Sequence, residues 1–452
     1  MKPEEKKNHR DGLVFLLLGA VALLLIGFAW KHLSPIEMGD FKVVYYSART
    51  LLQHGDPYSQ HDVLAVYNAE GRENPAESVL DRDVKTRYFY PPTAFILTVP
   101  IALTGFAVGK IVWMILCAGS LILASLLIWN ISVEFAPTAA GVLPGLLLAG
   151  SFWLFMVGNS AAIAVSLCVI ATWCFYRARF AWAGVLCLAL SLSLKPNDSG
   201  LVWLFFLLAA PSLRKRALQS LAILVVLSAP FVLWAYSVSP HWTQELQANM
   251  APFSAPGSIV DPGITGMAGK NMDCIVPLQT ALSVFFPQPV TYNLLTYAIC
   301  LPLVLIWAVI TLRNRPSGKR IWLGLAAAAP LSMLPTYHFQ HDAKLLLLTI
   351  PACVMLWSGR EALGRWALVV TLAGILVNGD IFTAIRIMLT RQIIVPQPNF
   401  ASRLATVFLT RPAPLALLLV AVFYLWIYWR HREIPSSQPV PQQVTVTNAS
   451  GI

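Results

Sequence analysis

The sequence predicts an all-α polytopic membrane protein, and three observations lead to that prediction. Of the 452 residues, 57% are hydrophobic and only 12% are charged, with a mean hydropathy of +0.66. Soluble domains carry about 25% charged residues, so this chain cannot cover itself with a water-facing surface. Apolar runs close to the roughly 20 residues that cross a bilayer as a helix recur from end to end. Basic residues cluster in the short segments between those runs.

The basic clusters predict the orientation of the helices. An excess of Lys and Arg in short loops marks the cytoplasmic side of a membrane protein. The net charge of +11 is therefore assigned to topology and not to nucleic-acid binding, because no stripe of aromatic and basic residues accompanies it. The clusters are Lys6, Lys7 and Arg10; Arg177 and Arg179; Arg214, Lys215 and Arg216; Arg313, Arg315, Lys319 and Arg320; Arg360 and Arg365; Arg430 and Arg432.

We predict about twelve membrane-spanning helices in a single domain, residues 1–432, followed by a disordered cytoplasmic tail at 433–452 that is rich in Pro, Gln and Ser. With the N-terminus in the cytoplasm, the loops 31–89, 237–292 and 381–411 lie outside it. The predicted spans outside the stretch 90–158 are 13–30, 159–176, 180–195, 198–211, 217–236, 293–312, 320–335, 344–358, 364–380 and 412–430.

Between residues 90 and 158, three apolar candidates compete for an even number of crossings, because both ends of this stretch are predicted to lie outside. The candidates are 91–106, 109–131 and 139–157. Pro144, together with Gly141, Gly145 and Gly150, interrupts the last of them. We therefore expect 139–157 to be the irregular segment that is not a full span.

The first predicted loop contains an amphipathic segment. Its apolar positions recur at helical spacing: Phe41, Val44, Tyr45, Ala48, Leu51 and Leu52. Such a helix beside a span should lie flat in the membrane interface, and it ends at the turn-forming sequence 54–58. Asp40 stands at its start. Spacing alone favours an N-cap for Asp40, and a catalytic carboxylate is the alternative.

Two further polar groups lie on the same predicted side. Lys195 follows the apolar run 183–194, where it either reaches to the headgroups or binds a phosphate. The segment 337–342 contains His338, His341 and Asp342 between two spans. It could pack in the interface, bind a substrate phosphate or hold a metal. We expect no metal site, because no third protein ligand is evident nearby.

Two other patterns are assigned no chemistry. Asp81 and Asp83 resemble the DxD of soluble sugar transferases, but they fall in a loop predicted outside the cytoplasm, where nucleotide sugars are scarce. We interpret them as part of a solvated charged loop. The seven cysteines show neither CxxC nor Cys/His spacing, so neither a disulfide framework nor a zinc site is predicted.

An ordered set of motifs resembles glycosyltransferase family 87, a family of polyprenol-phosphate-dependent membrane enzymes of the GT-C type. The set comprises Gly39-Asp40, Tyr45-Tyr46, Leu51-Leu52, Gly55-Asp56-Pro57-Tyr58, Tyr90-Pro91-Pro92, Gly158-Asn159, Lys195-Pro196 and His341-Asp342. The resemblance covers roughly residues 10–430. Two features depart from the family pattern: the polar residue after Gly158 is Asn where Gln is common, and the stretch 59–89 is long and highly charged.

The resemblance implies a GT-C-type helical bundle in the cell membrane, with its active site open to the extracytoplasmic side. It implies a polyprenyl-phosphate-linked sugar donor, with mannose as the default, and it maps the family's acidic residue onto Asp40 as general base. The remaining site residues follow from the same resemblance. They are Lys195, His341, His338 and Asn159 for the donor phosphate, and Tyr45, Tyr46 and Tyr90 for the acceptor or the interface.

We therefore expect an inverting hexosyltransferase that moves a hexose to a hydroxyl of a glycan or glycolipid. Such a reaction needs a carboxylate to take the acceptor proton and fixed cations or donors to stabilise the departing phosphate. No cofactor is expected, because a polyprenyl phosphate is already a good leaving group. The alternatives are a lipid or solute transporter or flippase, a non-catalytic scaffold, and a polymerase or ligase that uses diphosphate-linked donors. Charges at span ends, and not within spans, disfavour the transporter.

Overall fold

The computed structural model describes residues 3–33, 38–70, 85–258, 260–263, 274–359, 361–390 and 399–430. These residues form helices joined by turns and loops, with one isolated bridge and no strand in the described segments. The all-α fold class is thereby confirmed. The predicted tail at 433–452 lies outside the described residues, and so do Asp81 and Asp83.

The helices follow the apolar runs, because a helix satisfies its own backbone hydrogen bonds in lipid. Up to residue 208 they are α1 (Pro3–Leu33), α2 (Gly39–Leu52), α3 (Gln60–Glu70), α4 (Phe95–Ala102), α5 (Phe106–Ser132), α6 (Pro137–Ala149), α7 (Trp153–Val157), α8 (Ala161–Tyr176), α9 (Ala181–Leu194) and α10 (Pro196–Leu208). The remainder are α11 (Pro211–Val238), α12 (Trp242–Ser254), α13 (Gln279–Leu282), α14 (Pro289–Asn314), α15 (Arg320–Met333), α16 (Ile350–Ser358), α17 (Ala362–Val377), α18 (Asp380–Thr390), α19 (Phe400–Thr410) and α20 (Pro412–Arg430). Two 3-10 segments, Pro92–Ala94 and Asp342–Thr349, lead into α4 and α16.

Five of the described helices are long and apolar enough to cross a membrane: the part of α1 from Asn8 to Ala29, and α5, α11, α14 and α20. A sixth crossing results if α17 and α18, which bend by 63° relative to each other, form one broken span. The chain is therefore a multi-pass helical membrane protein. Length and composition identify five or six of the roughly twelve spans that the sequence predicts.

The other predicted spans are shorter than their apolar runs suggest. Helices α8, α9 and α15 have 16, 14 and 14 residues. Helix α15 is buried along nearly its whole length, so protein surrounds it. The stretch 139–157 breaks between α6 and α7, and this irregularity was predicted. The stretch 91–106 is also short, so only α5 among the three competing candidates is a long span.

Helices α1 and α6 approach each other through glycines on both sides. A Cβ added to Gly141 would overlap the backbone carbonyl of Gly12, and one added to Gly19 would overlap the backbone of Gly145. Small residues let the backbones of membrane helices come this close, and the gain in van der Waals packing holds the pair together. This contact holds α6, and with it the break between α6 and α7, against α1.

We expect Gly141→Ala to lower the free energy of unfolding by about 1–3 kcal/mol, because the new methyl group must push two backbones apart. Gly119→Ala is the matched control: Gly119 is exposed in α5, and a Cβ there meets nothing within 4 Å. Alanine should be neutral there or stabilising by up to about 1 kcal/mol. Thermal unfolding of both variants in detergent measures the difference. Equal melting temperatures for the two variants would contradict the packing argument.

The amphipathic helix of the first loop exists, but one prediction about it is wrong. Most residues of helix α2 are buried, the charged Lys42 among them, and its position flat in the membrane interface stays a prediction. Asp40 is not the N-cap. Met38 holds that position in a left-handed conformation with a φ of 45°, without a side-chain cap, and Asp40 falls in the first helical turn. The Asp40 carboxylate is therefore free to take a partner elsewhere in the chain.

A short antiparallel contact positions the segment 337–342. The His338 carbonyl accepts a hydrogen bond from Val276 N at 3.0 Å, and Gln340 N donates to the Cys274 carbonyl at 2.7 Å. A single bridge between Ile275 and Phe339 lies between them. These two hydrogen bonds fix the backbone of the segment inside the protein. His338 and His341 lie on either side of Phe339, the bridge residue of this segment.

Candidate active site

Asp40 and Asn159 are 119 residues apart and meet directly. Asn159 Nδ2 donates a hydrogen bond of 2.6 Å to Asp40 Oδ2, while Asn159 Oδ1 accepts from Ala161 N at 2.8 Å. The Asn159 side chain, one residue before the N-cap Ser160, therefore accepts the first N–H of α8 and at the same time holds the Asp40 carboxylate. A backbone bond of 3.0 Å from Met38 N to the Met156 carbonyl ties the two segments together beside it.

Gly158 makes this junction possible. Its φ of 65° is in the left-handed region, which favours glycine. A Cβ at Gly158 would also press on Met38 Cε at 2.7 Å and Phe41 Cβ at 3.0 Å, so the chain needs a glycine for space as well. Trp113 Nε1 donates to the Gly158 carbonyl at 2.7 Å. In the motif Gly158-Asn159, the glycine thus provides a left-handed turn of the backbone, and the asparagine provides the amide that positions Asp40.

The Asp40 carboxyl is half-buried and carries a raised pKa. Burial is the main cause, because it disfavours the charged form. The hydrogen bond from Asn159 and the Lys195 ammonium work in the opposite direction, and the Asp342 carboxylate adds to the rise. A carboxylate with a pKa shifted towards neutral is a better proton acceptor than an exposed one, so the environment suits a general base.

Lys195 is ion-paired inside the protein, so it does not reach to the lipid headgroups, and its contact with a phosphate stays a prediction. Its Nζ lies 2.5 Å from Asp342 Oδ1 and 3.7 Å from Asp198 Oδ2. The partner Asp342 comes 147 residues later in the chain. Asp198 was not selected from the sequence, although its i, i+3 spacing from Lys195 was a signal that could have identified it. The Lys195 ammonium also acts electrostatically on the Asp40 carboxyl group.

The two histidines have different surroundings. His338 is fully buried, with Nε2 3.3 Å from Asp198 Oδ1 and Nδ1 3.1 Å from the Thr336 carbonyl. His341 Nε2 lies 3.8 Å from Asp342 Oδ1. Burial lowers the pKa of His341 to about 3, even though Asp342 opposes the shift. His341 is therefore neutral at pH 7, and it would serve a phosphate as a hydrogen-bond partner and not as a cation.

The three tyrosines separate into one site residue and two core residues. Tyr90 accepts a hydrogen bond from Ser160 at 3.2 Å, beside Asn159, and its pKa is raised by burial first and by the Asp40 carboxylate second. Tyr45 donates to the Thr104 carbonyl at 2.8 Å, and the Tyr46 ring stacks on Phe106 with 5.5 Å between centroids. Both side chains are buried in the core, and their role at the acceptor or the interface stays a prediction.

One group within the described residues has the composition of a metal site. Asp198, His338 and Asp342 each place a ligand atom within 4.8 Å of the others, and all three side chains are buried. Two of these residues are close together in the sequence, whereas Asp198 comes from the start of α10 and joins them only in the folded protein. The candidate active site therefore consists of Asp40 and Asn159 on one side and the ionic group around Lys195 on the other.

Comparison of the chain with protein-family models, with curated proteins and with solved structures finds no significant match.

Proposed function

We propose that this protein is a membrane hexosyltransferase that takes its sugar from a polyprenyl-phosphate carrier, with Asp40 as general base. The observation that carries the proposal is the hydrogen bond between Asn159 and Asp40, together with the electrostatic influence of Lys195 and Asp342 on the same carboxyl group. These interactions connect four residues that are far apart in the sequence: Asp40, Asn159, Lys195 and Asp342. Transfer from a phosphate carrier needs a proton acceptor and a group that stabilises the departing phosphate; a carboxyl group of raised pKa and a nearby lysine ammonium would supply these two groups.

In the proposed reaction, the carboxylate and the ammonium each have one role. The Asp40 carboxylate accepts the proton of an acceptor hydroxyl while that oxygen attacks the anomeric carbon of the donor. The bond from this carbon to the phosphate oxygen breaks, and the polyprenyl phosphate leaves with the bonding electrons. Lys195 stabilises the phosphate charge, and one displacement inverts the anomeric configuration. The acceptor is a glycan or glycolipid, and the hexose is mannose by default.

The proposal includes a location and a topology. The enzyme would lie in the cell membrane, either the inner or the plasma membrane, with about twelve spans in a GT-C-type bundle and its active site on the extracytoplasmic side. The balance of charge in the loop 31–89, which contains Asp40, supports that side: its seven Lys and Arg residues are outnumbered by nine Asp and Glu residues, so it lacks the basic excess of a cytoplasmic loop. The carrier lipid would stay in the bilayer while its phosphate reaches the site from the interface.

Two experiments test the proposed function. The purified protein in nanodiscs is supplied with a polyprenyl-phosphate mannose and with lipid extracts as acceptor, and transfer is followed by mass spectrometry. In parallel, the lipids and envelope glycans of a deletion strain are compared with the parent. We expect one sugar to be missing and its acceptor to accumulate. Unchanged glycans together with no transfer from any polyprenyl-phosphate sugar would refute the proposal.

One observation favours the transporter alternative: Lys344 and Asp380 form a buried ion pair. Ionisable groups inside a membrane protein often mark a transport path. Here, however, their further hydrogen bonds go to the backbone: Lys344 Nζ donates to the carbonyls of Gly150 and Asn378, and Asp380 Oδ2 accepts from Trp153 N. A pair with these contacts has a structural role, because it holds separate segments of the chain together. We therefore favour the transferase over the transporter.

The environment of Asp40 predicts a pH dependence. A general base works when deprotonated, so transfer falls as the pH drops through its pKa. Burial raises that pKa, which places the acid limb of the rate profile above the ordinary range of an aspartate. Asn159→Ser should move the limb to still higher pH, because serine keeps a side-chain oxygen beside Ala161 N but removes the amide that stabilises the carboxylate. The measurement is kcat against pH. An unshifted limb would contradict the assignment of Asp40 as the titrating base.

A further inference from the structure

Asp198, His338 and Asp342 have the spacing of ligands around one metal ion. Asp198 Oδ1 and His338 Nε2 are 3.3 Å apart, and the ligand atoms of all three residues lie within 4.8 Å of one another. Nitrogen and oxygen ligands bind Zn²⁺ at about 2.0–2.2 Å, which puts two adjacent ligand atoms roughly 3.0–3.5 Å apart. Small side-chain movements would therefore bring all three onto one ion.

His338 is oriented as metal-binding histidines are. Its Nδ1 lies 3.1 Å from the Thr336 carbonyl, which can only accept, so Nδ1 carries the proton. In a neutral imidazole, Nε2 then presents a lone pair, which lies 3.2 Å from Asn197 Nδ2 and 3.3 Å from Asp198 Oδ1. Metal ligands commonly donate the other ring N–H to a backbone carbonyl, and this fixes the tautomer. A metal ion bound at Nε2 would take the place of the Asn197 amide.

Asp198 supplies an independent observation. It is only 1% exposed, and neither carboxylate oxygen accepts a hydrogen bond. The Lys195 ammonium is 3.7 Å away, which is an ion pair but not a hydrogen bond. Buried carboxylates are normally paired and hydrogen-bonded, because their desolvation is costly. Two oxygen atoms directed into a buried group without a donor are what a cation site requires.

Lys195 places positive charge in this group. Its Nζ lies 2.5 Å from Asp342 Oδ1. We propose that Asp198, His338 and Asp342 bind one divalent transition metal ion, and that the Lys195 ammonium takes the place of this ion when the metal is absent. Metal binding would release Lys195 from Asp342. Two carboxylates, a dication, the ammonium and the single negative charge of a phosphodiester then sum to zero.

The ligand set narrows the choice of metal. Magnesium and calcium favour oxygen ligands, whereas imidazole suits zinc and other first-row transition metals, and carboxylates suit manganese. One imidazole with two carboxylates therefore fits Mn²⁺ or Zn²⁺. Three protein ligands leave a coordination position open, and a donor phosphate oxygen would fill it. That last role rests on the proposed function, whereas metal binding does not.

The test is a binding measurement on the full-length protein in nanodiscs after treatment with EDTA. Free Mn²⁺ is followed by electron paramagnetic resonance during titration, and Zn²⁺ by competition with a fluorescent chelator. We expect one saturable site per chain. Asp198→Asn and His338→Gln should each weaken binding at least 10–100-fold, the range seen when only an outer-shell partner of a ligand is lost. Lys195→Ala should tighten it, because the competing ammonium is gone.

Asp62→Asn is the control, since Asp62 pairs with His61 in another part of the chain and should leave the affinity unchanged. The Lys195→Ala variant guards against misfolding, because a gain of affinity cannot come from an unfolded site. No stoichiometric Mn²⁺ or Zn²⁺ binding by the wild type and by Lys195→Ala would overturn the proposal and leave a salt-bridge network. Stoichiometric binding with sugar transfer that EDTA does not reduce would uphold the site and overturn only its role at the phosphate.

Discussion

Asp40→Asn is expected to reduce sugar transfer by about 10²–10⁴-fold, the range typical of a lost general base. Asparagine cannot accept a proton at neutral pH, but its carbonyl oxygen can still accept the hydrogen bond that Asn159 Nδ2 now gives to Asp40 Oδ2. Expression, insertion and thermal stability should therefore stay close to wild type. The rate is measured with a polyprenyl-phosphate sugar in nanodiscs, under saturating donor, so that kcat is separated from binding.

Asp40→Ala provides the matched comparison. It removes the same proton acceptor and, in addition, leaves the Asn159 amide without its acceptor. A buried donor that loses its partner costs about 1–3 kcal/mol, so this variant should be inactive and also less stable. If Asp40→Asn transferred sugar at the wild-type rate, Asp40 would be structural and the base would lie elsewhere. Asp56 and His341 would then be the next candidates.

The sequence predicted more of the site than of the fold around it. Asp40, Lys195 and the segment 337–342 were selected from local pattern and Asn159 from the family resemblance, and the structure brings them together. What spacing could not predict was pairing between distant segments. Asp342 pairs with Lys195 although 147 residues separate them in the chain. Asp198, at the start of α10, lies 3.3 Å from His338 in the segment 337–342. Local chemistry indicates which groups are unusual, but tertiary packing decides what they contact.

Two differences between the predicted and the observed fold have the same origin. Spacing favoured an N-cap for Asp40 because Asp before a helix favours capping, yet its carboxylate accepts a hydrogen bond from the distant Asn159 amide. Apolar runs predicted spans because a helix in lipid and a helix buried in protein have the same composition. Helix α15 shows the difference: its run is apolar, but protein buries nearly all of it. Composition predicts the helix, and only packing shows what surrounds it.

The second prediction with a large effect concerns the buried pair Lys344 and Asp380, each 2% exposed and 3.2 Å apart. This pair joins the 3-10 segment before α16 to the bend between α17 and α18, and through Gly150 to the break after α6. Lys344→Met should lower the free energy of unfolding by about 3–5 kcal/mol, because it leaves an uncompensated carboxylate in the interior. Asp380→Asn should cost a similar amount, since the ammonium keeps only carbonyl partners.

The double variant Lys344→Met/Asp380→Asn distinguishes a buried ion pair from two independent contacts. It removes both charges, and asparagine can still accept the hydrogen bond from Trp153 N. We expect its loss of stability to be smaller than the sum of the single losses by about 0.5–3 kcal/mol. Unfolding in detergent, followed by the reaction of a fluorogenic dye with the buried cysteines, measures all four proteins of the cycle. Additive losses would mean that the two side chains stabilise the protein separately, and the tie between the broken helices would then rest on their backbone hydrogen bonds alone.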